Sequence, residues 1–435
     1  MKYVCLILML QGKASSLTPI VSKAPGTPVQ KESSDLIIVG SLAMDTVVSM
    51  GRTIKMNDSN PGLIRNSVGG VGHNVTMASH YGLQSNFCNS NKKSRLVSVV
   101  GEDITGKSIM ASLESIGVDT LGILVGPGST AQYVSNHDAN GDLIVACADM
   151  KIIEQDFANH IISQIDRSSP QSVILDCNIT PTVATKVLEH LRGEDVNVII
   201  EPTSFAKATR IGEIPGHVFP SNIIDLITPT VAELDAIYTS FSAKGKFDDL
   251  DNWFPLVDSL GITTQFRERL TLLASRPQYN ILSGLLNQGV LQQAFQILPY
   301  IPNILVKLGD KGVVLVSLST SISDYNSIPT TSAYTPQFIL TSKSQTHGQL
   351  GIAIKYFPIP KENENLDIVN VSGAGDALVG YLAATLLSGP NWLLPTIESA
   401  EQEWYQWESI YKAQLASGHV LKSETSTAPS ILLIE

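Results

Sequence analysis

The chain has 435 residues, 43% of them hydrophobic, and a formal net charge of −11 at pH 7. That is enough apolar material for one large α/β domain or for two domains. The negative balance, with no basic stripe, argues against a nucleic-acid partner, because nothing would displace the counterions of the polyanion; a small neutral ligand stays compatible with it. No segment offers the roughly 18 continuous apolar residues that a membrane span requires.

In chain order, Met1–Leu10 carries an apolar stretch with Lys2 as its only basic residue, and no small-residue cleavage site follows. The segment Gln11–Ser34 is rich in Ser, Pro, Thr and Lys and reads as a disordered linker, so residues 1–34 form a leader to one domain over 35–435. Cytoplasmic location is the expectation, with an N-terminal targeting segment as the lesser alternative. Solid apolar runs at Leu36–Gly40, Leu96–Val100, Val173–Asp176, Val196–Ile200, Ile223–Ile227 and Ile304–Leu308 alternate with helical patterns. This predicts an α/β fold whose mainly parallel sheet is covered by helices on both faces.

Two excursions should leave that sheet, over 46–67 and 121–150. The second holds alternating strands at Ala131–Ser135 and Asp142–Cys147, joined through Asn136–Gly141, which ends in an Asn-Gly turn signal. Residues 240–300 and 319–348 read as insertions, the first mostly helical and the second dense in Ser, Thr and Gln. In the tail Thr396–Leu421, Trp404, Trp407 and Tyr411 fall on one helical face, the ordinary pattern of a core stripe. Cys5, Cys88, Cys147 and Cys177 form no Cys-x-x-Cys pair, and no metal-ligand spacing of His accompanies them. Cys147 and Cys177 lie in apolar strands and are expected as packed, reduced thiols.

The most informative run is Asn370-Val371-Ser372-Gly373-Ala374-Gly375-Asp376-Ala377-Leu378, between the β-like Gly351–Ile359 and a helical stretch, Ala374–Leu387. Glycines at a helix start let free N–H groups approach an anion, and an aspartate on that turn is placed to take a proton from an attacking hydroxyl. Alone, the run is also what an ordinary tight turn before a buried helix looks like, with Asp376 near the cap. Two further runs join it: Asn66-Ser67-Val68-Gly69-Gly70-Val71-Gly72-His73-Asn74, and Asp35 to Asp45 with its strand-end Gly40.

Together, in this order, the three runs resemble the signatures of the PfkB (ribokinase-like) carbohydrate kinases. The resemblance implies a ribokinase-like fold, in which the two excursions build a small β-sheet lid over the sugar. It implies phosphotransfer from ATP with Mg²⁺ and a small-molecule sugar or nucleoside as acceptor. Asp376 is the expected general base, expected to stay ionised at the helix start, and the backbone N–H groups of Gly373, Ala374 and Gly375 form the expected anion hole. Asp45 is expected to clasp ribose hydroxyls, Gly69 and Gly70 to let the sugar lie against bare backbone, and Asn74 to donate to and accept from sugar oxygens.

On the nucleotide side, relatives show Asn-x-x-Glu where this chain has Thr230-Val231-Ala232-Glu233. Glu233 is the expected organiser of Mg²⁺, while Thr230 loses an amide that would touch the donor phosphate. Lys307, Gly309 and Gly312 resemble the strand–glycine–turn beside the nucleotide, and Ser372 belongs to the phosphate run. Many relatives carry aspartate at the position of Asn370, so the resemblance leaves monovalent-cation dependence open.

The runs Thr130-Ala131-Gln132-Tyr133, Ala148-Asp149-Met150, Asp176-Cys177-Asn178 and Glu201-Pro202-Thr203-Ser204 with Lys207 look like the pseudouridine kinase branch. On that branch the acceptor is the 5′-hydroxyl of pseudouridine, with Thr130, Gln132 and Asn178 as candidates to read the base. The alternatives are a kinase for another nucleoside or a pentose, or a PfkB-like protein weakened in catalysis that serves as a binding partner. A homodimer through the lid is a further expectation, and related eukaryotic proteins that carry such a kinase behind a pseudouridine-phosphate glycosidase domain suggest a link to a glycosidase domain or protein.

Overall fold

The structure is a computed structural model that describes residues 33–51, 54–55, 57–139, 141–319, 332–342, 350–394 and 399–435. Its strands are β1 (Leu36–Val39), β2 (Ala43–Met50), β3 (Gly62–Gly69), β4 (Ser94–Gly101), β5 (Ile123–Gly126), β6 (Gln132–His137), β7 (Leu143–Asp149), β8 (Ser172–Asp176), β9 (Asn197–Glu201), β10 (Leu226–Ile227), β11 (Asn303–Lys307), β12 (Val313–Ser319), β13 (Phe338–Thr341) and β14 (Gly351–Phe357). Four helices matter most below: α1 (Val71–Gln84), α2 (Val231–Ala243), α3 (Ala374–Ser388) and α4 (Ala400–Leu421).

Ten strands form the main sheet in the order β13-β14-β12-β11-β10-β9-β8-β1-β4-β5. Pairing is parallel from β11 through β5, and antiparallel among β11, β12, β14 and β13. Strand β1 shows why the parallel part needs helices on both faces. All four of its residues are buried, with Ile37 and Val39 in one apolar cluster and Leu36 and Ile38 in the other. Helices α1, α3 and α4 cover the second of these faces.

A separate four-stranded sheet, in the order β3-β2-β6-β7, is the lid. Its strands β6 and β7 pair antiparallel, with a register irregularity at Asn136 and His137. The second excursion begins later than the sequence suggests: β5 pairs parallel with β4 and belongs to the main sheet, leaving only β6 and β7 to the lid. Cys147 is also not packed, because β7 is an edge strand exposed at every residue; Cys177 is buried.

Strand β10 is much shorter than the apolar run Ile223–Ile227 suggests. The Asp225 carboxylate takes the Val198 N–H at 2.8 Å, so a side chain occupies a donor that a longer ladder would use. Between α2 and β11, residues 240–300 form the helices Trp253–Ser259, Thr264–Ala274, Asn280–Asn287 and Val290–Ile297. Of the insertion at 319–348, residues 320–331 and 343–349 lie outside the described residues, as do 1–32 and 395–398.

Candidate active site

The parallel strands deliver polar residues at their carboxyl ends, where α/β sheets place ligand groups. Ser41 follows β1, Asp176 closes β8, Glu201 closes β9, Thr228 follows β10 and Lys307 closes β11. Lys307 Nζ lies 2.9 and 3.0 Å from the two carboxylate oxygens of Glu201, and Thr228 Oγ1 donates to the same carboxylate at 2.6 Å. Burial opposes the Lys307 charge, but the carboxylates of Glu201 and Glu233 outweigh it and hold the ammonium above its ordinary pKa. Gly375 passes directly over this ammonium: a Cβ there would stand 3.3 Å from Nζ.

Above the cluster, α3 begins at Gly373, whose φ of 83° is a left-handed conformation that favours glycine. A Cβ at Gly373 would also strike the main chain of Ser426, 2.9 Å from its Cα. The first-turn N–H groups of α3 have no partners within the helix, and the positive end of its dipole adds to their pull on an anion. Asp376 sits in that first turn, partly buried, and Oδ2 accepts from Asn74 Nδ2 at 2.8 Å. Burial, reinforced by the Glu201 charge, pushes the Asp376 carboxyl up to about 7, while the Asn74 N–H and Lys307 pull the other way. Burial therefore works against the ionisation expected of an aspartate at a helix start.

Asn74 belongs to α1, which starts at Gly70 with φ 97°; a Cβ there would approach the Ser41 carbonyl to 2.6 Å. One residue earlier, Gly69 leaves room for Asp45 on the neighbouring strand, since a Cβ at Gly69 would overlap the carboxylate. Burial pushes the Asp45 carboxyl up to about 6. The lid carboxylate, the glycine pair, Asn74 and Asp376 thus follow one another through direct contacts. The Asn74 carbonyl oxygen is already shared, at 3.0 Å from Ser426 Oγ and 3.1 Å from His73 Nδ1.

Other expected site residues are placed as follows. Asn178 is buried, its amide donating to Ser41 Oγ at 2.9 Å and to Asp176 Oδ2 at 3.1 Å while its oxygen accepts from Lys207. Thr130 is buried too and donates to Asp103 Oδ1 at 2.6 Å. Gln132 opens β6 on the lid, partly buried. Thr230 and Glu233 form a capping box at the start of α2: the Glu233 carboxylate takes the Thr230 N–H at 2.7 Å, and Thr230 Oγ1 takes the Glu233 N–H at 3.3 Å. Gly309 and Gly312 form a turn after β11 with φ of 65° and 89°. Exposed Ser372 donates its N–H to Asn370 Oδ1 at 2.9 Å.

No protein-family model matches the chain. Among solved structures, an Arabidopsis thaliana ribokinase complexed with ribose and ATP superposes with a TM-score of 0.55 at 16% identity, covering 92% of this chain and 97% of that one. The fold is ribokinase-like. A pseudouridine-metabolizing bifunctional protein of Schizosaccharomyces pombe is 28% identical over 97% of this chain and 50% of its own length. Pseudouridine kinase of Escherichia coli is 30% identical over 42% of this chain and 55% of its own. The chain thus spans about half the length of the curated relatives it matches.

On the ribokinase-like frame, three site residues escaped the sequence reading. Glu201 and Asp176 appear there only inside short runs, and Ser426 carries no signal. Buried carboxylates at strand ends could have flagged the first two, because an unpaired charge in an apolar run demands a partner. The Ser426–Asn74 contact spans 352 positions and leaves no local trace.

Proposed function

We propose that the chain is an ATP-dependent kinase that phosphorylates the 5′-hydroxyl of pseudouridine. The observation that carries this reading is Asp376 on the first turn of α3, with a proton affinity near neutrality beside a glycine-rich helix start. A general base works best with a pKa near the working pH, and the N–H groups of Gly373, Ala374 and Gly375 face charge as it develops on the transferred phosphoryl group. Lys307, beneath Gly375, adds a fixed positive charge. Asp45 is assigned to the ribose hydroxyls, and Asn74 reaches the sugar through its remaining N–H.

Mg²⁺ belongs to this proposal as a companion of the ATP phosphates, where it neutralises charge. Among the described residues no three His, Cys, Asp or Glu side chains are grouped to hold a metal ion, and one Glu233 carboxylate oxygen caps a helix. The base-reading role falls best to Gln132, because the polar groups of Thr130 and Asn178 have partners within the protein. Pseudouridine as acceptor is supported by the two pseudouridine-metabolising relatives. A partnership with a pseudouridine-phosphate glycosidase is proposed from the bifunctional relative, whose other half this chain does not match.

The test is ADP release with a panel of pseudouridine, uridine, adenosine and ribose. Uridine lacks the extra ring N–H of pseudouridine, so a buried acceptor facing that group would be left unpaired; such mismatches produce discrimination of order 10⁴. Pseudouridine is expected to give the highest kcat/KM. Equal or faster turnover of ribose or adenosine would remove the pseudouridine assignment.

A further inference from the structure

Three buried side chains meet at the Asn74 amide: His73, Asn74 and Ser426 are 4%, 6% and 6% exposed. The atom 2.8 Å from Asp376 Oδ2 is the Asn74 amide nitrogen, the arrangement that the ionised carboxylate, which only accepts hydrogen bonds, requires. The carbonyl oxygen then faces Ser426 Oγ and His73 Nδ1, and both must donate to it. Burial lowers the His73 pKa to about 4, so the ring is neutral and carries its proton on Nδ1. With both groups donating to the oxygen, turning the amide over would require the Ser426 hydroxyl to rotate and the His73 ring to change tautomer, and would set a carbonyl against the ionised carboxylate.

Ser426 has a second attachment. Its main chain lies against Gly373, the residue that opens the anion hole. One residue therefore touches the phosphate-binding turn through its backbone and the partner of Asp376 through its side chain.

We infer that Ser426, together with His73, is a positioning residue. By holding the Asn74 carbonyl it keeps the amide N–H on Asp376 Oδ2 and leaves Oδ1 as the oxygen free to take a proton. This rests on the reading of Asp376 as the base. The charged groups acting on Asp376 are Asp176 from β8, Glu201 from β9 and Lys307 from β11, and none of them is altered by a change at Ser426.

The experiment is a ¹³C NMR titration of the Asp376 carboxyl, its signal assigned by loss in Asp376→Asn. In Ser426→Ala the midpoint should rise by about 0.5–1 pH unit, because a loosely held amide donates less to the ionised form. Ser426→Thr keeps the hydroxyl and should return the midpoint to the wild-type value. His73→Phe, which keeps a ring and removes the other donor, should move it in the same direction as Ser426→Ala. In turnover, Ser426→Ala should lower kcat about 10-fold with nucleoside KM within about 2-fold, and shift the acidic limb of the pH profile upward by the same amount. Unchanged midpoints in both folded variants, or a Ser426→Ala enzyme that loses only nucleoside affinity, would overturn the positioning role. The titration needs no substrate. A wild-type protein that turns over no nucleoside while its midpoints move as described would sink the proposed activity and leave the positioning role standing.

Discussion

In the proposed reaction a proton leaving a sugar hydroxyl at neutral pH needs an acceptor of matched affinity, and burial and the neighbouring Glu201 charge bring the Asp376 carboxyl into that range. Turnover should therefore rise with pH and level off above about 7. Asp376→Asn should lower kcat by about 10²–10⁴ while nucleoside binding measured by calorimetry changes little. The same residue should affect stability. Its pKa in the folded protein, about 7, lies above the ordinary 3.8. Its favourable contribution is complete below the lower value and lost as pH rises through the higher one. Asp376→Asn should accordingly melt above the wild type at pH 8, with the gap closing as pH falls toward 4. A gap independent of pH would contradict the burial argument.

The elements that hold this residue are two helices in close approach. A Cβ at Gly380 of α3 would collide with the Val75 carbonyl of α1 and stand 2.7 Å from the Ala78 Cβ. Gly380→Ala should cost about 1–3 kcal/mol in urea unfolding, because the contact is with backbone that cannot turn aside. It should also lower kcat, since α1 carries Asn74 and α3 carries Asp376. Helix α4 is held differently, by a buried ion pair between Lys355 of β14 and Glu403, whose carboxylate also accepts from Trp407 Nε1 at 2.9 Å. Lys355→Met leaves the Glu403 charge without its cation and should destabilise by about 3–5 kcal/mol in the same measurement.

These elements differ in how far the sequence exposes them. The apolar runs of β1, β4, β8, β9 and β11 were legible because strands buried on both faces need continuous hydrophobic residues. The start of α3 was legible from glycine chemistry. Strand β10 was overread, because a carboxylate that takes over a ladder donor looks like any aspartate. The Lys307–Glu201 pair joins residues 106 positions apart and Ser426–Asn74 joins residues 352 apart, distances at which no periodicity survives.

At the scale of the whole molecule, the lid leaves apolar side chains in the open: Ile64 is 64% exposed, Leu143 56% and Val145 58%. They lie on β3 and β7, the two edge strands of the lid sheet, and a second copy of the chain meeting the lid is the proposed cover. Val145→Asp should shift a dimer toward monomer in analytical ultracentrifugation; wild-type protein that sediments as a monomer at micromolar concentration would remove the proposal.

The contact between Ser426 and Asn74 also bears on the time course of folding. Asn74 and Ser426 lie 352 positions apart in the sequence, and contacts of such separation form slowly because long loops must close first. During refolding from urea, helical circular dichroism should recover in an early phase and the proposed phosphotransfer in a later one. Simultaneous recovery of the two signals would show that the distant segments join at the start.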